Sequence, residues 1–352
     1  MKKVGNREQI TKPLGEQTSF FIAQNKQNLN LTSRAWRTIE TDMVEFMGYR
    51  EATLSGFLNI IITHYYEHSR FSITKQLSDE SERIEYALGD DFEDLARIKF
   101  AFLNYTKESL IETVSRLPLG EARKFRISND NVDLLSHHVD DESRVYGNNL
   151  GRFLKALFED YAALNHSQRE AVFYADFIEI FNRACAEEEC LAIKLKSGEH
   201  LVLKPYRSGP DKLGLHHYFI GYKRDENLGN PPLALPFQEV VSMRPLVSYS
   251  GRLSSEEKNH LQKLLLAQSP RYFNQPLSLI RVSFTEEGLR QYEYRLENRP
   301  AFKAEMEDGS LVFESSLEQA YDYFCAFGAN VEIITPDELK KSVLLFHRRV
   351  KK

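Results

Sequence analysis

Polar and apolar positions repeat in the first half of the chain. Lys26-Gln27-Asn28-Leu29-Asn30-Leu31-Thr32-Ser33 and Ala122-Arg123-Lys124-Phe125-Arg126-Ile127-Ser128-Asn129 both alternate. Each puts apolar side chains on one face and polar ones on the other, which predicts a half-exposed strand. Each ends in a residue suited to cap a helix, Thr32 or Ser33 and Ser128 or Asn129. A helical period follows, on Trp36, Ile39, Met43 and Met47 in the first copy and on Val132, Leu135 and Val139 in the second. A second helix comes next. Its apolar face is Leu54, Phe57, Leu58, Ile61 and Tyr65 in one copy and Leu150, Phe153, Leu154, Leu157 and Tyr161 in the other. The register is gapless: Leu31 and Ile127, Ile39 and Leu135, Leu58 and Leu154, and Tyr65 and Tyr161 are all 96 positions apart.

About forty residues of strand, helix, turn and helix cannot bury a core alone, but two copies can share one. Their strands would pair antiparallel into a ribbon over four helices. That arrangement resembles the ribbon-helix-helix fold of DNA-binding proteins, made here by two copies in one chain. Two-stranded ribbons fit the major groove, where outward side chains read base edges. The outward positions would be Asn28 and Asn30 on one strand and Lys124 and Arg126 on the other. Helix N-termini near Thr53 and Asn149 could hold phosphates through free backbone N–H groups. The alternative is a polar strand face that is simply solvated. Residues 72–120 between the copies read as a helical connector, with an acidic run over Leu77–Asp94 that suits a solvated helix face and repels phosphate.

After a helix over roughly 168–188 the period changes to two. Strands are predicted at Cys190–Leu195, Leu201–Arg207, His217–Tyr222 and Phe237–Leu246, with Lys196-Ser197-Gly198-Glu199 as a hairpin turn. Their number and spacing suggest a small barrel. Here the chain resembles the WYL domain, an SH3- or Sm-like barrel of bacterial regulators. His217-Tyr218-Phe219-Ile220-Gly221 stands at the Trp-Tyr-Leu-x-Gly strand of that family, keeping Tyr218 and Gly221. Lys204-Pro205-Tyr206 matches the strand before it, and the later signature falls on Leu235–Val240. Two arginines of that signature, which in the family help form a basic surface, are replaced by Pro236 and Glu239. The basic residues left to bind nucleic acid or ligand are Lys204, Arg207, Lys223, Arg224 and Arg244. Tyr206, Tyr218 and Tyr222 would either stack on bases or fill the barrel core.

The C-terminal third predicts a helix over 254–268, then β-α-β-β-α-β and a last helix from Pro336, the split βαβ pattern of a ferredoxin-like module. It resembles the extension that follows WYL barrels, above all in Phe327–Pro336, and is a candidate homodimer contact.

Charge narrows the readings. The 352 residues carry 46 Lys and Arg against 51 Asp and Glu, a net −5, so nucleic acid would be met by a local basic patch and not by bulk charge. Three cysteines, Cys185, Cys190 and Cys325, argue against a disulfide framework. With no apolar leader or membrane-length apolar run, they lead us to expect a cytoplasmic protein. No Gly-rich phosphate loop or nucleophile elbow is present. His64-Tyr65-Tyr66-Glu67-His68 matches the inverted zincin pattern, but the second copy has no counterpart and no third ligand stands out. The adjacent pairs His137-His138 and His216-His217 point apart. No catalytic residue, metal or cofactor is expected.

The expected architecture is therefore α+β multidomain. A first ribbon-helix-helix copy spans 1–71, the helical connector 72–120, the second copy with its linking helix 121–189, the WYL barrel 190–250 and the extension 251–352. The combination resembles the WYL accessory proteins of type VI-D CRISPR systems. That resemblance implies a non-enzymatic homodimer that binds single-stranded RNA and stimulates an RNA-guided CRISPR ribonuclease. The alternatives are a transcriptional regulator that binds duplex DNA through the ribbon, and one that also senses a small ligand in the barrel.

Overall fold

The alternation over Lys26–Leu31 forms strand β1 in the computed structural model, which describes residues 26–48, 52–89, 94–136, 150–211, 213–224, 230–273 and 275–350. The chain divides into two compact units, residues 1–173 and 174–352.

In the first unit, helix α1 (Ser33–Met47) starts at Thr32, whose hydroxyl accepts the Ala35 N–H at 3.1 Å. Its buried stripe is Ala35, Trp36, Ile39, Asp42 and Phe46. The predicted Met43 and Met47 are only half-buried, so the stripe runs through Asp42 and Phe46 instead. Asp42 is tolerated there because Tyr161 and Arg169 bond its carboxylate. Helix α2 (Leu54–Tyr65) is capped by Thr53 and buries Phe57, Leu58, Ile61, Ile62 and Tyr65. Helices α3 (Ile73–Leu88) and α4 (Leu95–Arg116) form a hairpin in the connector. Strand β2 (Glu121–Arg126) pairs antiparallel with β1, Lys26 opposite Arg126 and Leu31 opposite Glu121. Helices α5 (Asn129–Ser136), α6 (Leu150–Ala163) and α7 (His166–Phe173) complete the unit. Leu29, Leu31, Phe125 and Ile127 are all buried, as are Ile39, Leu135, Leu58 and Leu154, so both copies face one core. Val139, Asn149 and the His137-His138 pair lie outside the described residues.

Entry into β2 needs a glycine. A Cβ on Gly120 would stand 1.8 Å from the Leu31 carbonyl oxygen, and the Gly120 N–H is held by Asn30 Oδ1 at 2.7 Å.

In the second unit the predicted helix over 168–188 is divided. Its later part, α8 (Ala175–Ala186), packs on the adjoining sheet. That sheet is antiparallel, built from β3 (Glu189–Leu195), β4 (His200–Pro210), β5 (His217–Lys223), β6 (Pro232–Pro236) and β7 (Val240–Ser250), in the order β6-β5-β4-β3-β7. Strand β6 was not expected from its prolines, which fit an edge strand that needs few donors. Phe237–Glu239, expected as strand, is a 3-10 turn. Helix α9 (Ser255–Ala267) opens with a capping box between Ser254 and Glu257.

The last sheet has the order β11-β8-β10-β9, all antiparallel, from β8 (Ser278–Phe284), β9 (Ala301–Glu305), β10 (Leu311–Ser315) and β11 (Val331–Thr335). Helix α10 (Glu286–Tyr294) follows β8, α11 (Leu317–Phe324) precedes β11, and α12 (Asp337–Val350) ends the chain's described part. The β-α-β-β-α-β order is the one expected. Ile280, Val282, Phe313, Tyr323, Phe324 and Phe327 form its core. Tyr272, just after α9, ties the two parts of this unit together by donating to Asp322 at 2.8 Å.

Candidate nucleic-acid interface

The alternation that buries Leu29 and Phe125 turns the neighbouring side chains outward. On the outer face of the ribbon, Lys26, Asn28 and Asn30 stand opposite Arg126, Lys124 and Ala122. Lys26, Asn28, Lys124 and Arg126 are exposed. The three cations make no ion pair among the described residues, and they gather at one end of the ribbon. Sequence reasoning missed Lys26, although it shares the parity of Asn28 and Asn30. Of the predicted readers, Asn30 is turned to a structural task, since its carbonyl holds Gly120. Arg123 points the other way. It pairs with Glu40 and Glu121 and lies over the Trp36 ring, 4.7 Å from the centroid. Those bonds raise its pKa further, so it is a fixed cation of the core edge.

The start of α2 is bound to the same end of the ribbon. Ser55 Oγ accepts the Arg126 N–H at 3.2 Å, and Asn59 Nδ2 donates to the Arg126 carbonyl at 2.9 Å. The α2 N-terminus therefore adjoins the exposed guanidinium strand, with Thr53 Oγ1 accepting the Gly56 N–H at 3.2 Å. A helix N-terminus beside unpaired cations suits a phosphate.

The candidates in the second unit separate. Tyr218 and Tyr222 are buried, at 5% and 4% exposure, and belong to a core with Ile220, Leu253 and Leu261, against which Tyr206 also packs. The core alternative is thus the one their burial favours, and neither buried ring offers a face for stacking. Lys204 is held by Glu257 at 2.8 and 3.0 Å, and the Tyr222 hydroxyl meets the Glu257 carbonyl and His260 Nδ1 at 3.2 and 2.8 Å. Lys223 pairs with Glu199, and Arg224 lies over Tyr249. Arg207 and Arg244 remain exposed. Arg244 is level with Val202 of β4 across β3, and Arg207 lies five residues further along. That offset is roughly 17 Å of strand, so these two do not make one patch.

An apolar cavity of about 870 Å³ opens beside edge strand β6, lined by Leu233, Leu235, His260, Leu264 and Phe273 among others. The volume lies in the range of small-molecule sites.

The inverted zincin motif does not form. Helix α2 ends at Tyr65, Tyr66–His68 is a 3-10 turn, and His64 Nδ1 lies 3.0 Å from the Val172 carbonyl. The two histidines therefore do not share one α-helical face. The three cysteines are free thiols. No helix among the described residues is long and apolar enough to cross a membrane.

Comparison with known proteins adds to this. The family model of the WCX domain matches residues 277–348. No curated protein matches the chain. A solved structure described as a CRISPR Cas-related protein is similar over 93% of both chains, with a TM-score of 0.75 at 21% identity, which is a likeness of fold. Proteasome accessory factor B/C of Arthrobacter aurescens is matched over 65% of this chain and 37% of its own, with 17% identity and a TM-score of 0.29.

Proposed function

We propose that this chain is a non-enzymatic nucleic-acid-binding regulator of a CRISPR-associated system, and that it binds through the outer face of the β1–β2 ribbon. The observation that carries the reading is the set of unpaired cations, Lys26, Lys124 and Arg126, on an exposed alternating face of a chain with net charge −5. Positive charge is concentrated there against the average of the molecule. The two copies around one core are read as a single-chain ribbon-helix-helix module, and the second unit as a WYL barrel with its extension. The WCX match and the fold shared with a CRISPR Cas-related protein support that assignment.

The ligand favoured by this geometry is duplex DNA. A two-stranded ribbon enters the wide major groove of B-form DNA, whereas the deep, narrow major groove of A-form RNA does not admit it. The CRISPR-related neighbour favours a second reading, in which single-stranded RNA runs along the same cations and the chain stimulates an RNA-guided ribonuclease. In either case the apolar cavity beside β6 suits a small effector that modulates binding.

Fluorescence anisotropy with labelled duplexes and single-stranded RNAs tests this. Lys124→Ala and Arg126→Ala are expected to weaken binding of the preferred polymer. Binding of both polymers unchanged by either substitution would remove the ribbon from the interface.

A further inference from the structure

We infer that the open edge of β11 is a peptide-docking groove, in which an extended segment of a partner protein adds as a fifth strand and its C-terminal carboxylate is taken by Arg348. The groove belongs to the C-terminal extension and does not rest on how nucleic acid is bound.

Strand β11 stands at one end of the order β11-β8-β10-β9, so one of its sides has no neighbouring strand. On the other side the Thr285 N–H donates to the Asn330 carbonyl at 3.1 Å, and Glu332 stands opposite Ser283. Bonded pairs alternate along an antiparallel ladder, so the N–H and C=O groups of Val331 and Ile333 point away from β8, to the open side. Proline is one device that blunts such an edge. Edge strand β6 carries Pro232 and Pro236, whereas Val331–Thr335 contains no proline. A row of backbone donors and acceptors is satisfied by another extended backbone.

Helix α12 forms the other wall. Lys340 near its start meets Glu332 at 3.0 Å, and His347 Nε2 near its end lies 3.1 Å from the Cys325 carbonyl, so α12 runs back along β11. Between them is a groove of about 330 Å³, lined on the helix by Val343 and Leu344. Leu344 is 48% exposed, an apolar surface for the side chains of an added strand. The groove ends at Gly328 and Arg348. A Cβ on Gly328 would meet nothing within 4 Å, so the space beside it is open.

Charge selects the occupant. Lys340 is taken by Glu332, but Arg348 is exposed and has no ion-pair partner among the described residues. Every pairing in this sheet is antiparallel. A strand added to β11 in the same sense has its C-terminal end beside the start of β11, where its carboxylate meets the Arg348 guanidinium. The β11 of a second copy supplies no such anion, because its one charged residue, Glu332, is already held by Lys340 of its own chain.

Fluorescence anisotropy of the full chain with a labelled hexapeptide of alternating threonine and valine, carrying a free C-terminal carboxylate, tests the groove. Saturable binding at submillimolar concentration is expected, at least tenfold weaker for the C-terminally amidated peptide. Arg348→Glu should weaken binding of the free acid at least fivefold with unchanged circular dichroism, because the side chain is exposed. N-methylation of every second residue should abolish binding in one phase and spare it in the other, since a strand bonds its neighbour through alternate residues. Hydrogen exchange should slow over residues 328–335 when the peptide is bound. Absence of saturable binding would overturn the inference. So would equal affinity for acid and amide, an unaffected Arg348→Glu variant, or two N-methylation phases that behave alike. Binding that strengthens as the chain is diluted would also overturn it, by showing the edge to be covered by a second copy.

Discussion

Tyr65 and Tyr161, 96 positions apart in the chain, meet ring edge to ring face in the core of the first unit, with centroids 6.1 Å apart and planes at 72°. Each hydroxyl donates to a buried carboxylate, Tyr65 to Asp160 at 2.8 Å and Tyr161 to Asp42 at 3.0 Å. Burial and the neighbouring negative charge push both phenols well above their ordinary range, so both remain donors at any physiological pH. The two copies are thus joined by polar bonds that cross between them, not by apolar contact alone.

Tyr65→Phe and Tyr161→Phe are each expected to cost about 1–3 kcal/mol, since each leaves a buried carboxylate short of one donor. The rings touch, so the double variant should depart from the sum of the singles by more than about 0.5 kcal/mol. Urea unfolding followed by tyrosine and tryptophan fluorescence measures both.

Arg169 bonds Asp42 at 2.6 Å, and the carboxylate is almost wholly buried. Burial raises the Asp42 pKa, with Arg169 and Tyr161 opposing it. Arg169→Met leaves a buried charge without its partner and is expected to cost about 3–5 kcal/mol near neutral pH. The deficit should shrink as pH falls, because protonation removes the uncompensated charge. An equal deficit at pH 7 and pH 4.5 would contradict this.

Glu257 couples the cap of α9 to Lys204. Its burial would raise its pKa, but the Lys204 ammonium and the Ser254 N–H and hydroxyl outweigh that and hold it below the ordinary value. A carboxyl lowered on folding contributes stability above its unfolded pKa and loses it as pH falls through the folded value. The second unit should therefore weaken progressively below about pH 4.5. Glu257→Gln should be less stable at pH 7 and flatter across that window, as thermal melts at stepped pH will show.

Each of Lys26, Lys124 and Arg126 is expected to contact one phosphate at most. Removing one should lower the slope of log K against log salt by about 0.7–0.9. Asn28→Ala should leave that slope alone and alter preference among duplex sequences. Titrations at four salt concentrations separate the two effects.

Gly120→Ala tests how the ribbon closes. Its Cβ would collide with the Leu31 carbonyl, so the strands must part or β2 must start later. The expected loss is about 1–3 kcal/mol, with nucleic-acid binding falling in parallel while the second unit keeps its melting transition.

Much of this was legible in one dimension. The 96-residue register predicted that Leu29 and Phe125 would lie on paired strands, and they do, two residues out of direct opposition, with Gln27 opposite Phe125 and Arg123 opposite Leu29. Alternation with period two determines which side chains share a face wherever one face must be buried, and so Lys124 and Arg126 could be placed outward before any coordinates. The cap at Thr32 and the helix start near Thr53 were similarly readable, because a cap is a contact over three residues, whereas Ser254, expected inside its helix, is that helix's cap.

What stayed hidden depended on partners distant in the chain. Asp42 looks like a surface residue until Tyr161 and Arg169 are seen around it. Lys204 and Tyr222 looked like binding residues until α9 covered them with Glu257 and His260. Strand β6 was masked by prolines that only an edge position permits. Periodicity records how a residue relates to its own helix or strand; whether a charge is free, paired or buried is decided by which other element lands on it, and only the tertiary structure contains that choice.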